Sequence, residues 1–246
     1  MREGYDLNYK YGVIVLAAGR GSRMNSDIPK QYMDIDGFPV LYYSLKVFND
    51  YPAVKNIVIA TSPDDVDMVK EDIVERYGIG KVTDVVAGGA ERYDSVYNAM
   101  KHFSDIDYIM VHDGARPCIN TDILDRLCES VVKDKASVPA VPSKDTVRLA
   151  DREGYVTMTP DRSTVWNIQT PQVFEYEGIY KAYNDYYREV KTGNMTDVHI
   201  TDDAMMWERF DDRKIRLVMG DYDNIKITTP GDMEFVRNTI DKAAYK

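Results

Sequence analysis

The feature that most constrains the fold of this chain is an alternation. Short apolar runs rich in β-branched residues at 11–17 (YGVIVLA), 55–61 (KNIVIAT), 81–87 (KVTDVVA), 106–112 (IDYIMVH) and 136–141 (ASVPAV) are separated by stretches with helical spacing. In ERYDSVYNAMKHF, for example, Val96, Ala99, Met100 and Phe103 recur every three or four residues and form one apolar face. Strands alternating with helices predict an α/β fold, a mostly parallel, twisted sheet with right-handed crossovers and helices on both faces. In such sheets ligands bind at the loops beyond the carboxyl ends of the strands. Further helices are expected at 176–189 and around 201–209, with a strand at 215–219. NIKITTPGDMEF predicts a strand followed by a helix, in which Thr229 caps, Pro230 takes the first helical position and Asp232 lies in the first turn.

The alternation breaks at residues 142–172 (PSKDTVRLADREGYVTMTPDRSTVWNIQTPQ), which carry polar residues, short alternating pieces and three prolines. A structureless loop of roughly thirty residues would be uncommon in a compact domain, so a β-hairpin arm projecting from the sheet is the expectation. Its alternating apolar residues predict docking on a second copy of the chain, hence a homodimer. The organisation expected is a single domain over 11–246, with 142–172 as an inserted dimerisation arm and 1–10 as a polar leader.

Lys and Arg total 31 against 41 Asp and Glu, a net charge of −10, which argues against a general nucleic-acid or anionic-membrane surface. Any anion site must therefore be local. No run approaches the roughly 18 apolar residues of a membrane span, and MREGYDLNYK is too polar for a signal peptide, so a soluble, cytoplasmic protein is expected. Cys118 and Cys128 lack the spacing of a zinc site and read as packing residues.

The local anion site is sought in LAAGRGSRMNSDIPKQY, directly behind the first strand. The third glycine of a dinucleotide fingerprint is replaced by Met24, and no Gly-Lys-Ser/Thr follows, so neither that motif nor a Walker A loop is present. What remains is a turn in which Ala17, Ala18, Gly19 and Gly21 let backbone N–H groups approach a ligand, with Arg23 and Lys30 supplying charge. Such a loop fits a triphosphate attacked at its α-phosphorus; it also reads as a tight turn with solvated basic residues. AGGAERYDSV places Gly88, Gly89, Ala90 and Ser95 where they could read a base or ribose, or simply turn the chain. VHDGARP ends a strand with Asp113, suited to Mg²⁺ or to a turn cap, and Arg116 follows as a phosphate partner.

Six segments, LAAGRGSRM with IPKQY, GGAERYDSV, VHDGARPC, WNIQTPQVF, HITDDA and DNIKITTP, occur in the same order as in the 2-C-methyl-D-erythritol 4-phosphate cytidylyltransferases, a family that this chain resembles from Val13 to about Phe235. The resemblance implies a Rossmann-like nucleotidyltransferase fold and an arm-exchanged homodimer. It further implies Mg²⁺-dependent transfer of CMP from CTP to the sugar-alcohol phosphate, with release of pyrophosphate, in the non-mevalonate isoprenoid pathway. Position by position, it implies that Arg23 and Lys30 stabilise the reacting α-phosphate and that Lys226 is a further catalytic, phosphate-contacting lysine. It implies CTP contacts at Ala17, Ala18, Gly19, Gly89 and Ser95, a metal-side carboxylate at Asp113, and sugar-phosphate contacts at Asp113, Arg116, Thr146, Arg162 and Thr170. Two departures stand out: Gly114, where the family usually has alanine, suggests a looser turn, and Ala90 removes a polar side chain beside the base. A pentitol-phosphate cytidylyltransferase acting on ribitol 5-phosphate shares several of these segments but differs around Ala17 to Gly19 and in DGARP. A non-catalytic nucleotide-binding regulator would have no need of Arg23, Lys30 and Asp113 together.

Overall fold

The computed structural model describes residues 8–19, 24, 28–193 and 200–240. Strand β1 (Tyr11–Leu16) is buried along nearly its whole length, as an apolar strand covered on both faces must be. After it come a small hairpin, β2 (Asp34–Ile35) and β3 (Phe38–Pro39), whose turn places Asp36 and Gly37 at positive φ, and then α1 (Val40–Asp50). Next are β4 (Val54–Thr61), α2 (Val66–Met68) running into a π-helical turn at Val69–Glu75, β5 (Val82–Ala87), α3 (Arg92–Met100) and β6 (Tyr108–Asp113). Strands β4 and β6 flank β1 in parallel, with Val13 opposite Ile57 on one side and Met110 on the other, and β5 extends the sheet beyond β4.

Helix α4 (Thr121–Asp134) is capped by Asn120, whose side chain accepts the Ile123 N–H, and leads to β7 (Ala136–Pro142). The chain then leaves the sheet. Strands β8 (Leu149–Ala150) and β9 (Val156–Met158) pair antiparallel as a separate two-stranded sheet, so the expected hairpin is present within the arm segment. A short 3₁₀ turn, Arg162–Thr164, brings the chain back to β10 (Trp166–Ile168) and β11 (Gln172–Glu175). Both run antiparallel to β7, and β11 also pairs antiparallel with β6, so the returning arm inserts itself between two parallel strands. Helices α5 (Tyr176–Lys191) and α6 (Asp203–Phe210), strand β12 (Arg216–Met219) and helix α7 (Pro230–Thr239) complete the order. Ala140 of β7 is partnered by Ile168 and by Met219, so β12 lies on the flank of β7 away from β10.

The alternation of side chains along each strand feeds two cores, one per face. Val13 and Val15 join Leu41, Leu45 and Phe48 of α1 with Leu124 and Leu127 of α4, whereas Ile14 and Val58 join Val96 of α3, Tyr183 of α5 and Trp207 of α6. Trp207 is therefore a core residue, and the helices cover both faces as expected. One expected strand does not form. Residues 224–228 join no ladder; the Ile227 N–H donates to the Ala115 carbonyl at 2.8 Å, laying this segment against the turn after β6.

Candidate active site

A cleft of about 390 Å³ opens where β1, β5 and β6 end. Ala18 and Gly19 border it after β1, Gly89 to Arg92 and Ser95 after β5, Asp113 and Ala115 after β6, and Lys226 and Thr228 from the extended segment before α7. Lys30 and Gln31 line it from the short 3₁₀ turn Lys30–Tyr32. These are the positions at which a parallel sheet presents loops to a ligand.

Local bonding explains why each segment holds its shape. The Ala17 N–H donates to the Ala60 carbonyl at 2.7 Å, and the Ala17 carbonyl accepts from Gln31 Nε2, so the loop after β1 is tied to β4 and to the 30–32 turn. After β5, the Gly88 N–H donates to Thr61 O and the Gly89 N–H to Ser95 Oγ at 3.0 Å. A Cβ added at Gly89 would stand 2.1 Å from Asp94 Cβ, so glycine is what allows this loop to close on the start of α3. Glu91 and Asp94 form a reciprocal capping box there.

Charge concentrates on Asp113. Its Oδ2 lies 2.8 Å from Lys226 Nζ and 3.9 Å from Arg116 Nε, and its Oδ1 lies 3.5 Å from Arg92 Nε. Burial pushes the Asp113 carboxyl towards protonation, but the charges of Arg92, Lys226 and Arg116 outweigh it and hold the pKa well below the usual carboxylate range. Lys30 is nearly buried and donates from Nζ to the Ile227 carbonyl at 2.6 Å, which places its ammonium beside the segment that carries Lys226. Behind Asp113, the wholly buried His112 meets Thr170 Oγ1 through Nδ1 and the Arg116 carbonyl through Nε2, and burial pushes its pKa down to about 4.

The structure thus brings Ala18, Gly19, Lys30, Gly89, Ser95, Asp113 and Lys226 into one cleft, with Ala17 buried just behind it. Arg116 and Thr170 stand behind the carboxylate: Arg116 donates to the Asn224 carbonyl at 2.8 Å, and Thr170 Oγ1 accepts the Asp113 N–H at 3.1 Å. Thr146 and Arg162 are exposed on the arm and do not line the cleft within this chain. Arg23 lies outside the described residues. Sequence reasoning missed Arg92 and Asp203. Arg92 Nη1 lies 2.8 Å from Asp203 Oδ2, and Asp203 is fully buried. The neighbouring Asp202 caps this helix, its side chain accepting the Met205 N–H at 3.0 Å. Asp203 could have been found by spacing, since it shares a helix face with the buried Met206 and Trp207.

The chain as a whole has known relatives. The model of a protein family described as 2-C-methyl-D-erythritol 4-phosphate cytidylyltransferase matches residues 12–241. A protein of that name from Lachnospira eligens is 47% identical over 221 residues, covering 90% of this chain and 95% of its own. Another from Lachnoclostridium phytofermentans is 46% identical over 226 residues, covering 92% and 94%. Among solved structures, a 4-diphosphocytidyl-2C-methyl-D-erythritol synthase from Anaerococcus prevotii superposes with a TM-score of 0.80 at 34% identity, covering 94% of this chain and 95% of its own.

Proposed function

The chain belongs to the 2-C-methyl-D-erythritol 4-phosphate cytidylyltransferase family, and from this premise we infer that it is a nucleotidyltransferase of isoprenoid synthesis. It moves CMP from CTP to 2-C-methyl-D-erythritol 4-phosphate and releases pyrophosphate. The observation that carries this reading is the cleft itself, where Lys30 and the Lys226–Asp113 pair converge beside two glycine-bearing loops at the strand ends. Two anionic reactants repel each other, so catalysis here is largely positioning and charge neutralisation by fixed groups. Ala17, Ala18 and Gly19 offer backbone to the triphosphate, Gly89 and Ser95 take the nucleoside, and Arg23 and Lys30 stabilise charge growing on the α-phosphate. Lys226 receives the attacking phosphate, with Arg116 and Thr170 holding Asp113 and its surroundings in place.

The cofactor is Mg²⁺. Among the described residues no group of three carboxylate, histidine or cysteine side chains could hold an ion. An oxygen-seeking cation that takes one carboxylate and completes its shell with substrate phosphates fits a cleft offering Asp113. When bound, it neutralises charge on the triphosphate.

Residues 11–246 act as one domain, with 142–172 as the arm through which two copies pair. Leu149, Tyr155, Val156 and Met158 expose 49–70% of their surfaces on that arm, apolar area that a partner would cover. Thr146 and Arg162, remote from the cleft of their own chain, then serve the sugar phosphate in the partner's cleft. No helix among the described residues is long and apolar enough to cross a membrane. Reactants that are soluble phosphate esters place the enzyme in the cytoplasm, with no role for nucleic acid.

The test is pyrophosphate release from CTP with Mg²⁺, run in parallel with 2-C-methylerythritol 4-phosphate, ribitol 5-phosphate and no acceptor. Release with the first alone is expected. Release with ribitol 5-phosphate alone would reassign the acceptor, and silence in all three would overturn the enzymatic reading.

A further inference from the structure

Arg92 touches the cleft from one side and a buried carboxylate from the other, and the reaction as described uses neither contact. On the cleft side it is the cationic neighbour of Asp113 Oδ1, at 3.5 Å, while Lys226 and Arg116 share Oδ2. Behind the cleft its Nη1 lies 2.8 Å from Asp203 Oδ2, and Asp203 Oδ1 accepts the Tyr183 hydroxyl at 2.6 Å. Asp203 and Tyr183 have no exposed surface, so neither can reach a substrate. The 2.8 Å contact between Asp203 Oδ2 and Arg92 Nη1 is a close, buried pairing of opposite charges.

Stability is a poor account of such a pair. Taking two ions out of water offsets most of their attraction, and packed apolar residues of the same volume often do as well. What the pair does supply is a fixed place for a long side chain that otherwise loses much rotamer freedom on ordering. The contrast with Lys226 is instructive. Its side chain is 40% exposed, against 26% for Arg92, and among the described residues its ion pair is with Asp113. When a triphosphate enters, it attracts every cation in the cleft. Lys226 can exchange Asp113 for a phosphate oxygen, whereas Arg92 is held back by a buried negative charge. Asp113 then keeps Arg92 on Oδ1 and the more distant Arg116 on Oδ2 while Lys226 departs.

The geometry points to Asp203 and Tyr183 as positioning residues for the transfer reaction: they anchor Arg92, which fixes the Asp113 carboxylate while Lys226 is freed for phosphate. This inference rests on the cytidylyltransferase reading of the cleft.

The experiment measures kcat, KM and thermal midpoint for Tyr183→Phe, Asp203→Asn, the charge-neutral pair Arg92→Met/Asp203→Leu, and each Asp203 change on an Asp113→Asn background. Asp203→Asn is expected to lower kcat by about tenfold to a hundredfold, the scale of a reacting group displaced by about 1 Å, while KM for CTP changes by less than about twofold. Tyr183→Phe should shift kcat in the same direction by a smaller factor. The neutral pair should regain the wild-type midpoint without regaining kcat, a split that a purely structural role would not produce. On the Asp113→Asn background, Asp203→Asn should cost less than about threefold more, because both act through one group. Wild-type kcat in Asp203→Asn, recovery of midpoint and kcat together in the neutral pair, or fully multiplicative losses would each overturn the inference. Should Asp203→Asn fail to fold, the neutral pair and Tyr183→Phe decide by the same criteria. An inactive wild-type chain would overturn the functional reading and this inference with it, an outcome distinct from active wild type with indifferent variants.

Discussion

A lysine ordinarily keeps its ammonium in water, yet Lys30 is only 9% exposed and donates to the Ile227 carbonyl. A cation held that way is aimed before the substrate arrives, and its strongest interaction comes when charge builds in the transition state. Lys30→Ala should therefore reduce kcat by about a hundredfold or more while CTP affinity, measured calorimetrically without acceptor, falls much less. Equal losses in both would contradict this role. His112 yields a second prediction. Its pKa is about 4 in the fold and near 6.5 when unfolded, so between those values the unfolded chain binds more protons. Stability is then fully present above pH 6.5 and declines as pH falls towards 4, at up to roughly 1.4 kcal/mol per pH unit. Urea midpoints in metal-free buffer at pH 7.5, 5.5 and 4.5 check this, and His112→Asn should flatten the slope. Lys30 and Asp113 were legible in the sequence because one follows the glycine-bearing turn behind the first strand and the other ends a strand. Asp203 was passed over, because an acidic pair before a helix reads first as a cap; its spacing to Met206 and Trp207 and its burial set it apart from Asp202.

At the scale of elements, Gly114 shows how resemblance and geometry diverge. The turn is tight rather than loose: the Gly114 N–H donates to Leu16 O, and an added Cβ would stand 2.9 Å from that same oxygen and 2.8 Å from Leu41 Cδ1. Strands β1 and β6 are drawn together where the cleft begins. Gly114→Ala should accordingly destabilise the protein by about 1–3 kcal/mol, seen as a lower thermal midpoint; an unchanged midpoint would mean that the strand ends separate freely. The parallel strands were readable because their runs are apolar and rich in β-branched residues. The cap of α7 was readable too, since Thr229 and Asp232 form the capping box that their spacing promises. Strand β11 was not readable as a central antiparallel strand, because four residues, QVFE, carry too little pattern to state a direction. The segment 224–228 looked like a strand because Ile225 and Ile227 alternate with polar residues, but the Ile227 N–H bonds to the turn after β6.

At the scale of the whole molecule, two ends of the proposed chemistry lie apart: Lys30 lines the cleft, and Arg162 stands exposed on the arm. If two copies exchange arms, Arg162→Ala should raise KM for the sugar phosphate, and mixing it with Lys30→Ala should restore part of the activity in verified heterodimers. No recovery would exclude a shared cleft. If the arm pairs two copies, Val156→Asp with Met158→Asp should leave monomers in light scattering, because charges would replace the exposed apolar face. The path of the arm has one more consequence. The chain leaves the sheet after β7, turns at Gly154, and returns to place β11 between β6 and β7. A single protease cut at Arg152, on the exposed tip, would therefore release nothing. The piece 1–152 carries Lys30, Arg92 and Asp113, and the piece 153–246 carries Asp203 and Lys226 together with β11, which lies between β6 and β7 of the first. Expressed separately and refolded together, the two halves should assemble into one catalyst, a natural split enzyme whose pyrophosphate release reports that its fragments have met.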